Sequence, residues 1–173
     1  MKTKRSGLFL VCVFLASTTL AQTEPAKKAG GATSSPAVMP GSEKWMDLPA
    51  AALVGTPSVE MGGTVKIAIL QGDPMTAGRS YTVRLSCTDG TKIAPHWHPA
   101  TENATVLKGD FEIGMGSKWD PAAMTDLPAG AFISAPAKMR HFGQCKGDTL
   151  LQLNGIGPLV INFVAPGDDK PAM

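Results

Sequence analysis

From residue 64 onward, apolar and polar positions alternate in short runs separated by turn-forming residues. Thr64-Val65-Lys66-Ile67-Ala68-Ile69-Leu70 is rich in β-branched residues and ends at Gly72-Asp73-Pro74, a turn signal. Tyr81-Thr82-Val83-Arg84-Leu85-Ser86 alternates as a half-buried strand does, and Asp89-Gly90 follows it. Further strand-like runs cover residues 91–98, 103–107, 111–115, 131–135, 139–145, 149–153 and 159–164. Lys108-Gly109-Asp110, Pro128-Ala129-Gly130, Lys146-Gly147-Asp148 and Gly155-Ile156-Gly157-Pro158 punctuate them, and residues 109–116 read as a hairpin. The one helical candidate is residues 120–126, where Pro121 suits a first helical position; its length favours a single turn or a loop. Many short strands at this spacing predict an all-β sandwich or barrel.

The N-terminus follows a different pattern. Lys2, Lys4 and Arg5 precede an apolar run over residues 7–16, and Thr19-Leu20-Ala21 ends in a small residue. Residues 1–21 therefore read as a signal peptide, which predicts a periplasmic or secreted protein. The apolar run is about ten residues, half of what a bilayer span needs. Cys12 sits inside that run, not after it, so it is not a lipidation site. Residues 22–42 are dominated by Ala, Gly, Pro, Ser and Thr and read as a flexible linker.

Composition adds two constraints. Hydrophobic residues make up 43% of the chain and charged residues 17%, too apolar a balance for a disordered chain. Removing Lys2, Lys4 and Arg5 with the signal takes the formal charge from +2 to −1. A near-neutral chain without a basic cluster argues against nucleic acid as a partner and against an electrostatic membrane anchor.

The candidate chemistry lies in all three histidines of the chain. Alternation along residues 91–98 sends His96 and His98 to one face and Trp97 to the other. Glu102 follows a Pro99-Ala100-Thr101 turn and can return on the neighbouring strand, facing both imidazoles. Two neutral imidazoles and a carboxylate suit a divalent first-row metal. His141 lies far along the chain on another strand-like run. By parity Met139 and Gly143 share its face, and Ala94 shares that of His96.

The spacing G-x5-H-x-H-x3-E-x6-G from Gly90 to Gly109, with G-x5-P-x4-H from Gly130 to His141, resembles the two motifs of the cupin superfamily. The stretch Ile93-Ala94-Pro95-His96-Trp97-His98-Pro99 resembles small single-domain cupins, some of them similar to the cupin half of ChrR-type anti-sigma factors. The resemblance covers residues 60–165 and implies a cupin jelly-roll β-barrel over residues 43–173. It implies one divalent metal (Fe, Mn, Ni, Cu or Zn) held by His96, His98, Glu102 and His141. Two positions depart from the pattern: Lys138 stands where a Gly is usual, and Cys145 where an Asn is frequent. In the implied jelly roll the strands that carry the ligands are neighbours, so Cys87 and Cys145 could approach and form a disulfide. The alternative is two separate thiols.

With every histidine a candidate ligand, no histidine is left as a general base. Proton transfer would fall to Glu102, the candidate catalytic residue, to a metal-bound hydroxide, or to another carboxylate such as Glu112; Tyr81 is the only phenol. No Gly-x-Ser-x-Gly elbow, phosphate loop or dinucleotide fingerprint occurs, and Asn103-Ala104-Thr105 is a chance glycosylation sequon on a strand. The expected function is metal-dependent turnover of an oxygen-rich small molecule, dioxygenase chemistry first and isomerase or lyase chemistry second. The competing class is a cupin that binds or senses a small ligand or metal without turnover. A homodimer is expected, with residues 64–70 pairing across subunits or covering an edge.

Overall fold

The computed structural model describes residues 37–168; the expected signal peptide over residues 1–21 and residues 22–36 of the expected linker lie outside them. The described chain forms β1 (Met46–Asp47), β2 (Leu53–Val54), β3 (Val65–Gly72), β4 (Ser80–Cys87) and β5 (Lys92–Trp97). It continues through β6 (Glu102–Met115), β7 (Thr125–Pro128), β8 (Phe132–Ala135), β9 (His141–Ile156) and β10 (Ile161–Phe163).

Strand β9 organises the barrel. Along one edge it pairs with β6 from Met115↔His141 to Glu102↔Gly155. Along the other it pairs first with β5, where His96 faces His141, and then with β4, from Cys87↔Thr149 to Ser80↔Ile156. The sheet path runs β1-β3-β4-β9-β5-β10-β2, with β7 and β8 attached through β6. β1 ends this path on one side and β2 on the other, and residues 48–52 connect them, so the sheet curls back on itself as a jelly roll. β1 covers β3 only at Lys66 and Ile67.

The core follows from period-2 alternation. In β4, Tyr81, Val83, Leu85 and Cys87 are buried while the residues between them are not. They meet Ile67, Val106, Phe111, Ile113, Leu151, Leu153 and Leu159 inside the barrel. Full burial of each such aliphatic side chain is worth about 1.5–3 kcal/mol, the upper end assuming an extended unfolded chain.

Several expected boundaries shift. Residues 103–107 and 111–115 are one strand, β6, and residues 139–145 and 149–153 are joined in β9, which begins at His141. Lys108-Gly109-Asp110 and Lys146-Gly147-Asp148 are not turns, and residues 109–116 are not a hairpin. The β6–β9 ladder slips register between Val106 and Asp110, then continues on both sides. Gly109 (φ 72°) and Gly147 (φ 67°) adopt the left-handed conformation that a bulge uses to bend a strand without ending it. A Cβ on Gly109 would lie 2.7 Å from the Asp148 carbonyl oxygen, so the two strands approach too closely there for any side chain. Residues 120–126 form no helix. A 3-10 turn over Pro121–Ala123, capped by the Asp120 side chain accepting from the Ala122 N–H, leads directly into β7.

Cys87 and Cys145 are joined by a disulfide with Cα atoms 6.3 Å apart. Both are buried, so the bridge is part of the core between β4 and β9. It closes a 58-residue separation, which on the chain-entropy estimate stabilises the fold by about 4 kcal/mol. Denaturant unfolding with and without reductant should differ by that amount, and unreduced, denatured mature protein should titrate no thiol. Equal stabilities, or two free thiols, would contradict a staple of this kind.

Candidate metal centre

Three strand ends deliver the histidines to one place. His96 lies near the end of β5, His98 just beyond it, and His141 opens β9 directly opposite His96. Glu102 opens β6 after the short 98–101 connection. All three imidazoles are buried. Ring centroids lie 4.2 Å apart for His96–His141, 4.8 Å for His96–His98 and 5.3 Å for His98–His141.

Main-chain carbonyls fix the rings. Nδ1 of His96 lies 2.8 Å from the Ala94 carbonyl, Nδ1 of His98 2.8 Å from that of Val160, and Nδ1 of His141 3.1 Å from that of Met139. A carbonyl only accepts, so each Nδ1 donates and each Nε2 of a neutral ring keeps its lone pair. One nitrogen from each ring falls in a group whose members lie within 4.8 Å of one another. Glu102 stands outside this three-histidine group but beside it, with Oε2 3.3 Å from His98 Nε2. That is ion-pair distance without hydrogen-bond alignment, because His98 Nε2 is buried and has no hydrogen-bond partner. Three converging imidazoles, an adjacent carboxylate and an orphaned buried nitrogen fit a divalent first-row ion.

The electrostatics agree with this assignment. Burial holds His96 well below the ordinary imidazole range, and the neighbouring His141 and His98 add to the effect. Burial and His98 likewise lower His141, with Glu102 partly opposing them. Burial alone would lower His98, but the Glu102 charge and the Val160 carbonyl outweigh it and raise its pKa. Burial would raise Glu102, but His98 outweighs it and lowers its pKa. The two shifts are mutual, since the charged form of each partner favours that of the other, while His96 and His141 are pushed toward the neutral form.

Parity holds on β9 and fails on β5. Gly143 lines the same cavity as His141, but Met139 lies in the preceding turn and contributes only its carbonyl. The β5–β9 register slips between Ile93 and His96, so Ile93, not Ala94, faces the cavity. Glu112 lies within 2.5 Å of Lys146 and away from the cavity, which removes it as a proton acceptor for the site. Tyr81 is buried near Glu102, and burial, then the Glu102 charge, raise its phenol pKa. Sequence pattern alone missed the three carbonyl acceptors, since main-chain groups leave no residue signature.

The cavity beneath the cluster is lined by Leu, Ile, Val, Phe, Ala and Met side chains around His96, His98, Glu102 and His141. Its volume is about 70 Å³, on a measure in which one water needs roughly 10–15 Å³.

No protein-family model and no curated protein matches the chain. Solved structures do. A candidate acetylacetone dioxygenase from Methylibium petroleiphilum PM1 shares 21% identity at TM-score 0.55, covering 84% of this chain and 90% of that one. An acetylacetone dioxygenase from Acinetobacter johnsonii shares 16% at TM-score 0.55, covering 87% and 91%. An RmlC-like cupin from Shewanella frigidimarina NCIMB 400 shares 18% at TM-score 0.45, covering 63% and 84%. The fold is that of a cupin.

The two departures from the cupin pattern now have a structural reading. Cys145 is one half of the disulfide. Lys138 adopts φ 65° in the Pro136–Met139 turn, the left-handed conformation in which glycine is at ease. Its N–H donates to the His98 carbonyl at 2.8 Å, so the turn is held despite the side chain. A non-glycine residue there costs about 1–2 kcal/mol, partly recovered through a stiffer unfolded chain. Lys138→Gly should therefore raise stability by about 1 kcal/mol in urea titration; a loss would show that the lysine side chain contributes more than the backbone strain removes.

Metal binding should be proton-coupled. An incoming ion competes with protons for His98, whose pKa the Glu102 charge raises, so affinity falls as pH falls through that raised pKa. Calorimetry in buffers of different ionisation enthalpy should show at least roughly half a proton released per ion at pH 6.5, the ordinary imidazole pKa. Replacing His96 and His98 together by Ala should abolish stoichiometric metal. One equivalent retained by that variant would refute the centre.

Proposed function

We propose that this protein is an exported, metal-dependent cupin enzyme acting by dioxygenase chemistry on a small, uncharged, chelating oxygen compound such as a β-diketone. The observation that carries this reading is the contrast inside the barrel. Among the described residues, all polar side chains lining the cavity belong to the His96, His98, Glu102 and His141 cluster, and the other lining residues are apolar. A substrate must therefore place its oxygens at the cluster and its hydrocarbon against the walls. A dicarboxylate would bury its second charge with no lysine or arginine to meet it, at a cost of several kcal/mol.

A bound divalent metal supplies Lewis-acid polarisation of chelating oxygens and access to dioxygen chemistry. The chain's own residues orient and protect. The three Nδ1–carbonyl bonds hold the imidazoles in one tautomer, and the apolar walls exclude water and ions. Glu102, its pKa lowered, is ionised at neutral pH and is the one carboxylate among the described residues that faces the cavity, so it takes the acidic C–H proton of a diketone at its carboxylate oxygen. One acetylacetone dioxygenase and one candidate acetylacetone dioxygenase share the fold, which supports this choice of substrate class. The basic, apolar and small-residue order of residues 1–21 supports export, and a disulfide is a bond that persists in oxidising compartments.

The test is oxygen uptake by the metal-loaded mature protein given acetylacetone. Stoichiometric uptake is expected, and Glu102→Gln should lower kcat about 100-fold or more. Tight diketone binding without oxygen uptake would instead make the protein a binding or sensing module.

A further inference from the structure

Gly143 occupies the inward position after His141 on β9, about 7 Å along the strand, and Cys145 occupies the next. On the neighbouring strand Phe111 stands opposite Cys145, and Ile113 stands opposite Gly143. The Phe111 ring does not stay at its own level. A Cβ built on Gly143 would meet Phe111 Cζ at 2.3 Å and Cε1 at 2.9 Å. The ring therefore leans along β9 from the disulfide toward His141 and lies over the Gly143 backbone. Gly143 is not in the left-handed conformation, so its own dihedrals do not require glycine; the Phe111 ring does, together with the Glu112 carbonyl oxygen 2.9 Å from the same Cβ. Both residues line the cavity, and Phe111 is only 8% exposed.

We infer that the Phe111–Gly143 pair is the specificity-determining wall of the site, setting how long a substituent a chelating ligand can carry. The inference rests on the diketone reading of the cluster. A ligand whose oxygens are fixed at the histidines directs a substituent along β9 into the first inward position past His141. That position has no side chain of its own and is closed by a ring reaching across from β6. The wall is thus a removable plug on a strand that carries no ligand between Glu102 and its end, and shortening it opens space continuous with the cavity. The walls contributed by Ile93 and Ile113 stay in place, so the opening is directional.

The experiment compares wild type, Phe111→Ala and the more conservative Phe111→Leu, each metal-loaded and checked for metal content. Affinities for acetylacetone and for the phenyl-bearing benzoylacetone are measured by calorimetry, and benzene binding by NMR of the same samples. Both variants should improve the benzoylacetone-to-acetylacetone affinity ratio tenfold or more, and the alanine variant should bind benzene where wild type does not. An unchanged ratio in both variants with metal retained overturns the inference. If no protein binds either diketone, the substrate reading fails, and the benzene result alone decides: binding only by Phe111→Ala upholds the wall, and its absence removes it.

Discussion

Three hydrogen bonds from imidazole Nδ1 atoms to the carbonyls of Ala94, Val160 and Met139 decide what this barrel can be. They come from residues in β5, before β10 and before β9, so closure of the barrel itself sets the tautomer of each ring. With Nδ1 occupied, three Nε2 lone pairs are left converging in an apolar interior. That arrangement is costly on its own, since one of these nitrogens is buried without a hydrogen-bond partner. Glu102 offsets part of the cost through its charge, 3.3 Å from His98 Nε2. A metal ion held by the three histidines would offset it further, because each ring would then present its lone pair to one charge.

The strand register makes this possible. His96 and His141 sit directly opposite one another on β5 and β9, and β6 brings Glu102 back along the far edge of β9. The bulges at Gly109 and Gly147 bend β6 and β9 together, so one long strand can serve β5 at its beginning and β4 at its end. The disulfide locks β4 to that same strand four residues beyond His141. Stability and site geometry are therefore carried by one element, β9.

The histidine constellation was legible because its information is local: an H-x-H pair on a strand, a carboxylate after a turn, and a distant histidine at a motif spacing. The strand runs were legible because one face of each is buried. What escaped was non-local. Lys108-Gly109-Asp110 and Lys146-Gly147-Asp148 look like turns, and only their pairing with each other makes them bulges. Residues 120–126 carry a helix-start signal in Pro121, yet after one turn β6 offers Thr125–Pro128 an edge to pair with. The slip in β5 reversed the face of Ala94, a one-residue effect that alternation cannot reveal. The fit of the Phe111 ring over Gly143 depends on two strands 32 positions apart being neighbours, and neither residue alone marks it.

The central claim is that three imidazoles, each turned by a main-chain carbonyl, converge on one ion. X-ray absorption at the metal edge of protein purified from its native compartment tests this most directly, because imidazole rings add a multiple-scattering pattern that counts them. Three imidazole ligands, with the remaining donors oxygen, are expected. A bound metal with fewer than two imidazoles, or with sulfur donors, would contradict it.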